Sequence, residues 1–258
     1  MVSDEMKSLQ NDVADNNTSE LVGYAYKLYK GDGIKKDVPQ AYGLFLKAAE
    51  SGDTYAMFWL GVICEQEEEL LSPMEGFEWF LKAAKEGNPA AQFQVGYHYL
   101  HGVNVKQDYT EARRWFTVSA AKGYPLSQNS LGTMYLRGQV RSEGMTGSGD
   151  EDVDSEDERK KNLETGWRWL MCSAAQRHPS GLYNLAGMYM QGVHVDKDVD
   201  MAVSMYRLAH LLGGTGTRAI DILNSIGVSP EFTEEDDERL DGLFMDFVSG
   251  DSMPDDGH

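Results

Sequence analysis

His98 and His101 stand three positions apart, a spacing that on a helix can aim two imidazoles at one metal ion. No cysteine or aspartate stands in register to complete a ligand set, so both are read as surface histidines. Cys64 and Cys172 are candidate nucleophiles by type, but neither has a base in sequence register to activate its thiol, and both read as fillers of a packed helix face. Gly213-Gly-Thr-Gly-Thr precedes a helix-forming stretch as a phosphate-binding loop would. It lacks the lysine and the preceding strand that such a loop needs, and reads as the turn ending a structural unit. Ser148 and Ser155 lie just ahead of acidic residues and are candidate phosphorylation sites. Asn16 and Asn17 open glycosylation sequons that would be idle without export. The chain is therefore expected to have no catalytic residue, no metal, no cofactor and no enzymatic activity.

The charge distribution narrows the partners. Forty-two acids against 23 bases give a net charge of −19 in 258 residues, which opposes affinity for nucleic-acid phosphates. The acids cluster. Residues 1–20 hold five acids and one lysine; Asp150, Glu151, Asp152, Asp154, Glu156, Asp157 and Glu158 form a run without a base; residues 231–258 hold eleven acids and Arg239. The rest of the chain is close to neutral. Such runs solvate rather than pack, so Gly147–Glu158 is expected to be a disordered insertion. In the C-terminal region Leu240, Leu243, Phe244 and Phe247 recur at helical spacing, predicting one amphipathic helix followed by a tail from about Ser249. The opening residues are polar and acidic, unlike a secretory leader, and the longest apolar stretch, Tyr55–Cys64, is half the length of a membrane span. A cytoplasmic protein, monomeric and outside the membrane, is expected.

These segments flank a repeat. Ala41, Gly76, Ala112, Gly166 and Ala202 are separated by 35, 36, 54 and 36 residues, the long interval being one period plus an 18-residue insertion. Three residues on come Leu44, Trp79, Trp115, Trp169 and Met205; seven and eight on come Ala48-Ala49, Ala83-Ala84, Ser119-Ala120, Ser173-Ala174 and Ala209-His210; eleven on come Gly52, Gly87, Gly123, Arg177 and Gly213. A second register runs through Tyr24-Ala25, Leu60-Gly61, Val95-Gly96, Leu131-Gly132 and Leu185-Ala186. One period reads as two antiparallel helices. In the second, the bulky residue and the small pair mark the buried stripe, and the glycine eleven on supplies a left-handed stop. Pro89, Pro125 and Pro179 fall where the next first helix starts. Within the first helix, Leu-Gly allows close approach of a neighbour. A helix pair cannot bury its own apolar face, so consecutive pairs must stack.

The repeats resemble the Sel1-like, tetratricopeptide-like family, whose pattern runs A-x-x-x-L-G-x-x-Y-x-x-G-x-G-V, then an Asp and a K-A-x-x-W-x-x-K-A-A-x-x-G ending. The third copy carries it best, in Ala91, Val95, Gly96, Tyr99, Gly102, Val105, Asp108, Ala112, Trp115, Ala120 and Gly123. The second copy lacks the loop glycines and the last replaces tryptophan with Met205. The resemblance implies an all-α fold: a right-handed superhelical α/α solenoid of about five two-helix repeats with a C-terminal helical cap. On that frame residues 1–18 are an acidic flexible N-terminus and 19–214 the solenoid. Its repeats cover about 19–52, 53–88, 89–124, 125–178 with the insertion at about 141–161, and 179–214. Residues 215–248 are capping helices and 249–258 an acidic tail.

The family resemblance also implies a non-enzymatic adaptor or scaffold that binds a partner protein or peptide along its concave face, lined by the first helices. The positions two before and two after each first-helix leucine share the open side. They are Val22 and Tyr26, Phe58 and Val62, Phe93 and Tyr97, Asn129 and Thr133, Tyr183 and Gly187. Half are aromatic, the composition of a recognition surface. Lys30, Glu65, Gln66, His101, Arg137 and Gln191 would form its polar rim. The alternative reading is an acidic inhibitor or immunity-type protein whose insertion or tail neutralises a basic partner such as a toxin or a nucleic-acid enzyme. Trp167 is read as an exposed ring beside the insertion.

Overall fold

The computed structural model describes residues 18–67, 72–140, 156–214 and 217–249. The N-terminal segment before Thr18, most of the acidic insertion with Ser148 and Ser155, and the tail beyond Ser249 lie outside the described residues. The described chain is helical throughout and divides into two compact units, residues 1–112 and 113–258.

The first unit contains α1 (Thr18–Lys30), α2 (Val38–Glu50), α3 (Thr54–Gln66), α4 (Pro73–Lys85) and α5 (Pro89–His101), together with the start of α6 (Tyr109–Ala121). Each helix start has a local cause. Asp37 and Asp53 accept the amides of Gln40 and Ala56 at 3.0 and 2.8 Å, Asn88 accepts that of Ala91 at 3.0 Å, and Pro73 and Pro89 occupy first-turn positions where a missing N–H costs nothing. The aspartate of the repeat pattern caps second helices: Asp108 accepts the amides of Thr110 and Glu111 at 2.9 and 3.0 Å, as Asp198 does that of Met201. The loop before it closes by one bond, Asp37 N to Leu28 O in the first copy and Asp108 N to Tyr99 O in the third. Successive helices pack α1 on α2, α2 on α3, α3 on α4 and α4 on α5.

Close approach decides the crossings. A Cβ on Gly61 of α3 would lie 2.6 Å from the ring of Phe80 on α4, and one on Gly76 of α4 would lie 3.0 Å from the Gly61 carbonyl. Glycine at both positions lets the backbones touch. The second helices bury Ala48, Ala83 and Ala84 as the small pairs predict, but the ring at the centre of the pair differs from expectation. Phe45 and Phe80 are wholly buried, whereas Trp79, one residue earlier, is only partly so, with Lys82 Nζ 4.1 Å from its ring centroid.

The second unit contains the remainder of α6, then α7 (Pro125–Leu136), α8 (Glu156–Ala175), α9 (Pro179–Gln191), α10 (Val199–Leu211), α11 (Arg218–Ser225) and α12 (Glu234–Ser249). It repeats the glycine device: a Cβ on Gly132 would meet Leu170 at 2.7 Å, and one on Gly166 the Gly132 carbonyl at 3.0 Å. Its core joins Leu170, Leu182, Leu185, Met205 and Tyr206 to Leu223, Leu240 and Phe244. The helix read from Leu240 to Phe247 is thus present and covers the last repeat, as a polar-faced cap should.

Two expectations are corrected here. Of the stretch Gly147–Glu158 expected to be disordered, Glu156, Asp157 and Glu158 are helical: they fill the first turn of α8 and complement its amide dipoles. Trp167 is not an exposed ring. Its indole is half-buried, 5.8 Å from His194 and 6.0 Å, edge on, from Phe247 of α12, because the cap folds over that side of α8.

Candidate functional site

In the first unit the open-side positions fall on α1, α3 and α5. Tyr26 and Tyr97 are 37 % and 43 % exposed, high values for rings in a packed array. Phe58, Val62 and Phe93 are half-buried, and His101 is exposed. On α5 the rings form a ladder, Phe93 to Tyr97 at 6.3 Å and Tyr97 to His101 at 4.4 Å between centroids. Tyr26 reaches across from α1 to Trp59 of α3 at 4.9 Å. Phe58 leans inward on Phe80 at 5.6 Å and offers one edge only.

Trp59 was missed from sequence. It touches Tyr26, Tyr29, Phe45 and Phe58 and lies 5.7 Å from Lys30 Nζ, so it seats both the ring row and the rim cation. The signal was its place one residue before the first-helix leucine, where side chains of adjacent first helices meet. Asn184 holds the same place in the second unit.

The second unit presents a different chemistry. Asn129, Thr133 and Tyr183 are half-buried, and Arg137 and Gln191 exposed. Asn184 Nδ2 donates to Asn129 Oδ1 at 2.7 Å, Thr133 Oγ1 donates back to Ser130 O at 2.8 Å, and Tyr183 stands edge on to Tyr206 at 5.4 Å. Burial, with Tyr183 close by, pushes the Tyr206 phenol up to about 12. Amides and a hydroxyl thus take the place of the rings.

The rim is tied together by side chains. Tyr29 Oη donates to Gln66 Oε1, joining the ends of α1 and α3, and Lys36 Nζ lies 3.4 Å from Glu67 Oε1. Glu65, expected on the open rim, instead meets His98 Nε2 at 2.7 Å. His98 is only 1 % exposed, which corrects its reading as a surface histidine. Its Nδ1 faces the Val103 carbonyl at 2.9 Å, and the rings of Phe77 and Phe80 enclose it. A carbonyl can only accept, so Nδ1 donates to it, and Nε2 faces the Glu65 carboxyl. His98 belongs to the fastening of α3, α5 and the third loop, and His101 three residues on does not join it.

Among the described residues no group of three His, Cys, Asp or Glu side chains could hold a metal ion, and no helix is long and apolar enough to cross a membrane. Burial pushes the Cys64 thiol up to about 11, with Glu75 and Glu65 adding to it, and burial pushes the Cys172 thiol up to about 11. Both thiols are buried and protonated at neutral pH. Of the glycine-rich stretch, Gly213 and Gly214 are left-handed and follow α10 as a stop; Thr215 and Gly216 lie outside the described residues.

The Sel1 repeat model matches residues 21–53, 54–88, 89–124, 125–145 and 179–218, well over half the chain. The chain belongs to the Sel1 repeat family. A Sel1 repeat protein from Oxalobacter formigenes superposes with a TM-score of 0.69 at 25 % identity, over 90 % of this chain and 89 % of that one. The c5321 protective antigen of uropathogenic Escherichia coli gives 0.65 at 23 %, over 96 % of this chain and 53 % of that one. The fold is accordingly an all-α helical solenoid of Sel1 repeats. The chitin synthase regulator SKT5 of Saccharomyces cerevisiae is 36 % identical over 75 residues, 28 % of this chain; the match spans 11 % of the regulator's length.

Proposed function

We propose that the protein is a non-enzymatic scaffold that holds a partner protein or peptide on the first-helix face of its repeats. Proteins built on this repeat generally serve as interaction scaffolds, and the yeast relative is named a chitin synthase regulator. The observation that carries the reading is the exposure of the α5 ring ladder with Tyr26. Tyr97 and Tyr26 keep more than a third of their surface open, as Tyr109 does at the start of α6, while Phe45, Phe80 and Phe116 on the second helices are fully enclosed. Rings left on an open helical face supply large contact area at little entropic cost to a partner.

The acidic-antagonist reading rests on the insertion and the tail, which lie almost wholly outside the described residues, and no observed contact favours it. The test is recovery of a partner from native extract by the intact chain and by Phe93→Ala with Tyr97→Ala. Both side chains are at least partly exposed, so the double variant keeps its helical circular dichroism. Loss of the partner is expected; undiminished recovery by the folded variant would overturn the reading.

A further inference from the structure

Glycine inside a helix costs stability, and the second unit keeps one on its first-helix face that packing does not require. A Cβ on Gly132, Gly166 or Gly181 would come within 2.5–3.0 Å of a neighbouring helix, so those crossings need glycine. A Cβ on Gly187 of α9 would meet only Tyr206 Oη, at 3.7 Å, which is ordinary contact. Gly187 also holds the open-side place that Tyr26, Val62, Tyr97 and Thr133 hold in the other copies. Three residues earlier, on the same side of α9, stands Asn184, whose Nδ2 donates to Asn129 Oδ1 of α7 at 2.7 Å. An amide carries two donor hydrogens and one accepting oxygen, so this bond leaves Asn184 its oxygen and Asn129 both its N–H groups. Among the described residues no other group hydrogen-bonds either side chain, and the atoms left over are not buried.

A free donor and a free acceptor on paired amides, beside helix backbone that carries no side chain, complement the main chain of an extended peptide. One residue of such a chain presents its N–H and C=O on the same side, and its backbone comes close to a helix only where no Cβ stands in the way. We infer that Asn129 and Asn184 hold an extended segment of a partner protein by its main chain, over Gly187: the N–H of one residue donates to Asn184 Oδ1 and its C=O accepts from Asn129 Nδ2. The inference rests on the scaffold reading above and adds how the partner is gripped. An anion would satisfy the Asn129 donors but set its charge against the Asn184 oxygen. The neighbouring ring, Tyr183, is half-buried and edge on to Tyr206 at 5.4 Å, so hydrogen bonding rather than stacking decides what binds at this place. Main-chain bonds supply affinity without reading the side chain of the residue they hold.

Selection of a displayed random-peptide library on the intact chain tests it, with synthetic copies of the recovered peptides titrated by fluorescence anisotropy. Peptides whose binding weakens about tenfold or more in Gly187→Leu are expected, because the new side chain fills the space the peptide backbone would take. That variant keeps its helical circular dichroism, since the added Cβ has room. Asn184→Ala should weaken the same peptides about three- to tenfold, and N-methylation of one peptide residue about tenfold, while replacing that residue's side chain is tolerated. Recovery of no peptide, indifference to both Gly187→Leu and Asn184→Ala, or sensitivity to peptide side chains but to no N-methyl group would overturn the inference. The two readings separate. Peptides that need Phe93 and Tyr97 but ignore Gly187 and Asn184 sink the main-chain assignment and leave the scaffold standing, whereas peptides indifferent to all of these variants count against the first-helix face itself.

Discussion

Asp236 is 1 % exposed, yet its carboxylate has a full set of partners. Ser204 Oγ donates at 2.6 Å, the Thr233 amide at 2.9 Å and its hydroxyl at 2.8 Å, and Arg207 Nη1 reaches both oxygens at 3.0 and 3.1 Å. Burial pushes this carboxyl up, but the hydrogen bonds from Ser204 and Thr233, with the Arg207 charge, outweigh it and hold the group below the usual carboxylate range. A depressed folded-state value means that the ionised group stabilises the fold above the ordinary unfolded value, near 3.9, and that this contribution fades as pH falls through the folded value. Asp236→Asn is expected to lower stability by about 2–4 kcal/mol at pH 7, since Arg207 and Ser204 lose their charged acceptor. Urea titrations followed by circular dichroism at pH 7 and pH 3 check this. The difference between wild type and variant should shrink at the lower pH, and a constant difference would assign the loss to packing instead.

His98 and Trp79 show at the same scale where sequence reasoning stops. Helical spacing places His98 three residues after Val95, on the buried face, but periodicity cannot supply the Glu65 partner from another helix that makes burial tolerable. The buried stripe of the second helices was legible as Leu44, Trp79, Trp115, Trp169 and Met205. The structure buries Phe45, Phe80, Phe116 and Leu170, one place on, more deeply, whereas in the last repeat Met205 is enclosed and Tyr206 is 4 % exposed. Both sets share one helical face. Which of the two reaches the centre depends on the crossing position of the neighbouring first helix.

At the scale of the element, the glycine pairs set that crossing. Gly61→Ala would gain about 1 kcal/mol in helix propensity, but its methyl would fall within 2.6–2.9 Å of three atoms of the Phe80 ring. Phe80 is fully buried against Phe58 and His98 and has no space to swing into. Overpacking of this kind costs about 1–3 kcal/mol, so a net loss of roughly 1–2 kcal/mol is expected in thermal or urea unfolding. Adding Phe80→Leu should recover part of it. Equal stability of Gly61→Ala and wild type would show that the two helices can separate freely. The second-helix stops at Gly52, Gly87, Gly123 and Gly213 were legible as glycines, whereas the φ of 55° at Arg177, in the same register, was not. The structure adds the use of that arginine: it reaches Asp237 at 2.8 Å and Asp241 at 2.7 Å, tying the fourth repeat to α12.

At the scale of the molecule, a repeat array divides its residues between neighbours and partners. The stacking half of that division was legible from spacing alone, because the small residues and leucines recur in two registers. The binding half was legible as positions but not as chemistry. Rings line the first unit's face, amides and Tyr183 the second's, and Glu65 and Glu67 of the rim are paired with His98 and Lys36. The central claim is that partners meet the first helices rather than the second. Site-specific photo-crosslinking tests it most directly, with a benzophenone side chain placed at Tyr97 on α5 or at the exposed Glu78 on α4 of the otherwise intact chain. Crosslinked partner is expected from Tyr97 and little or none from Glu78; adducts from Glu78 alone would contradict the account.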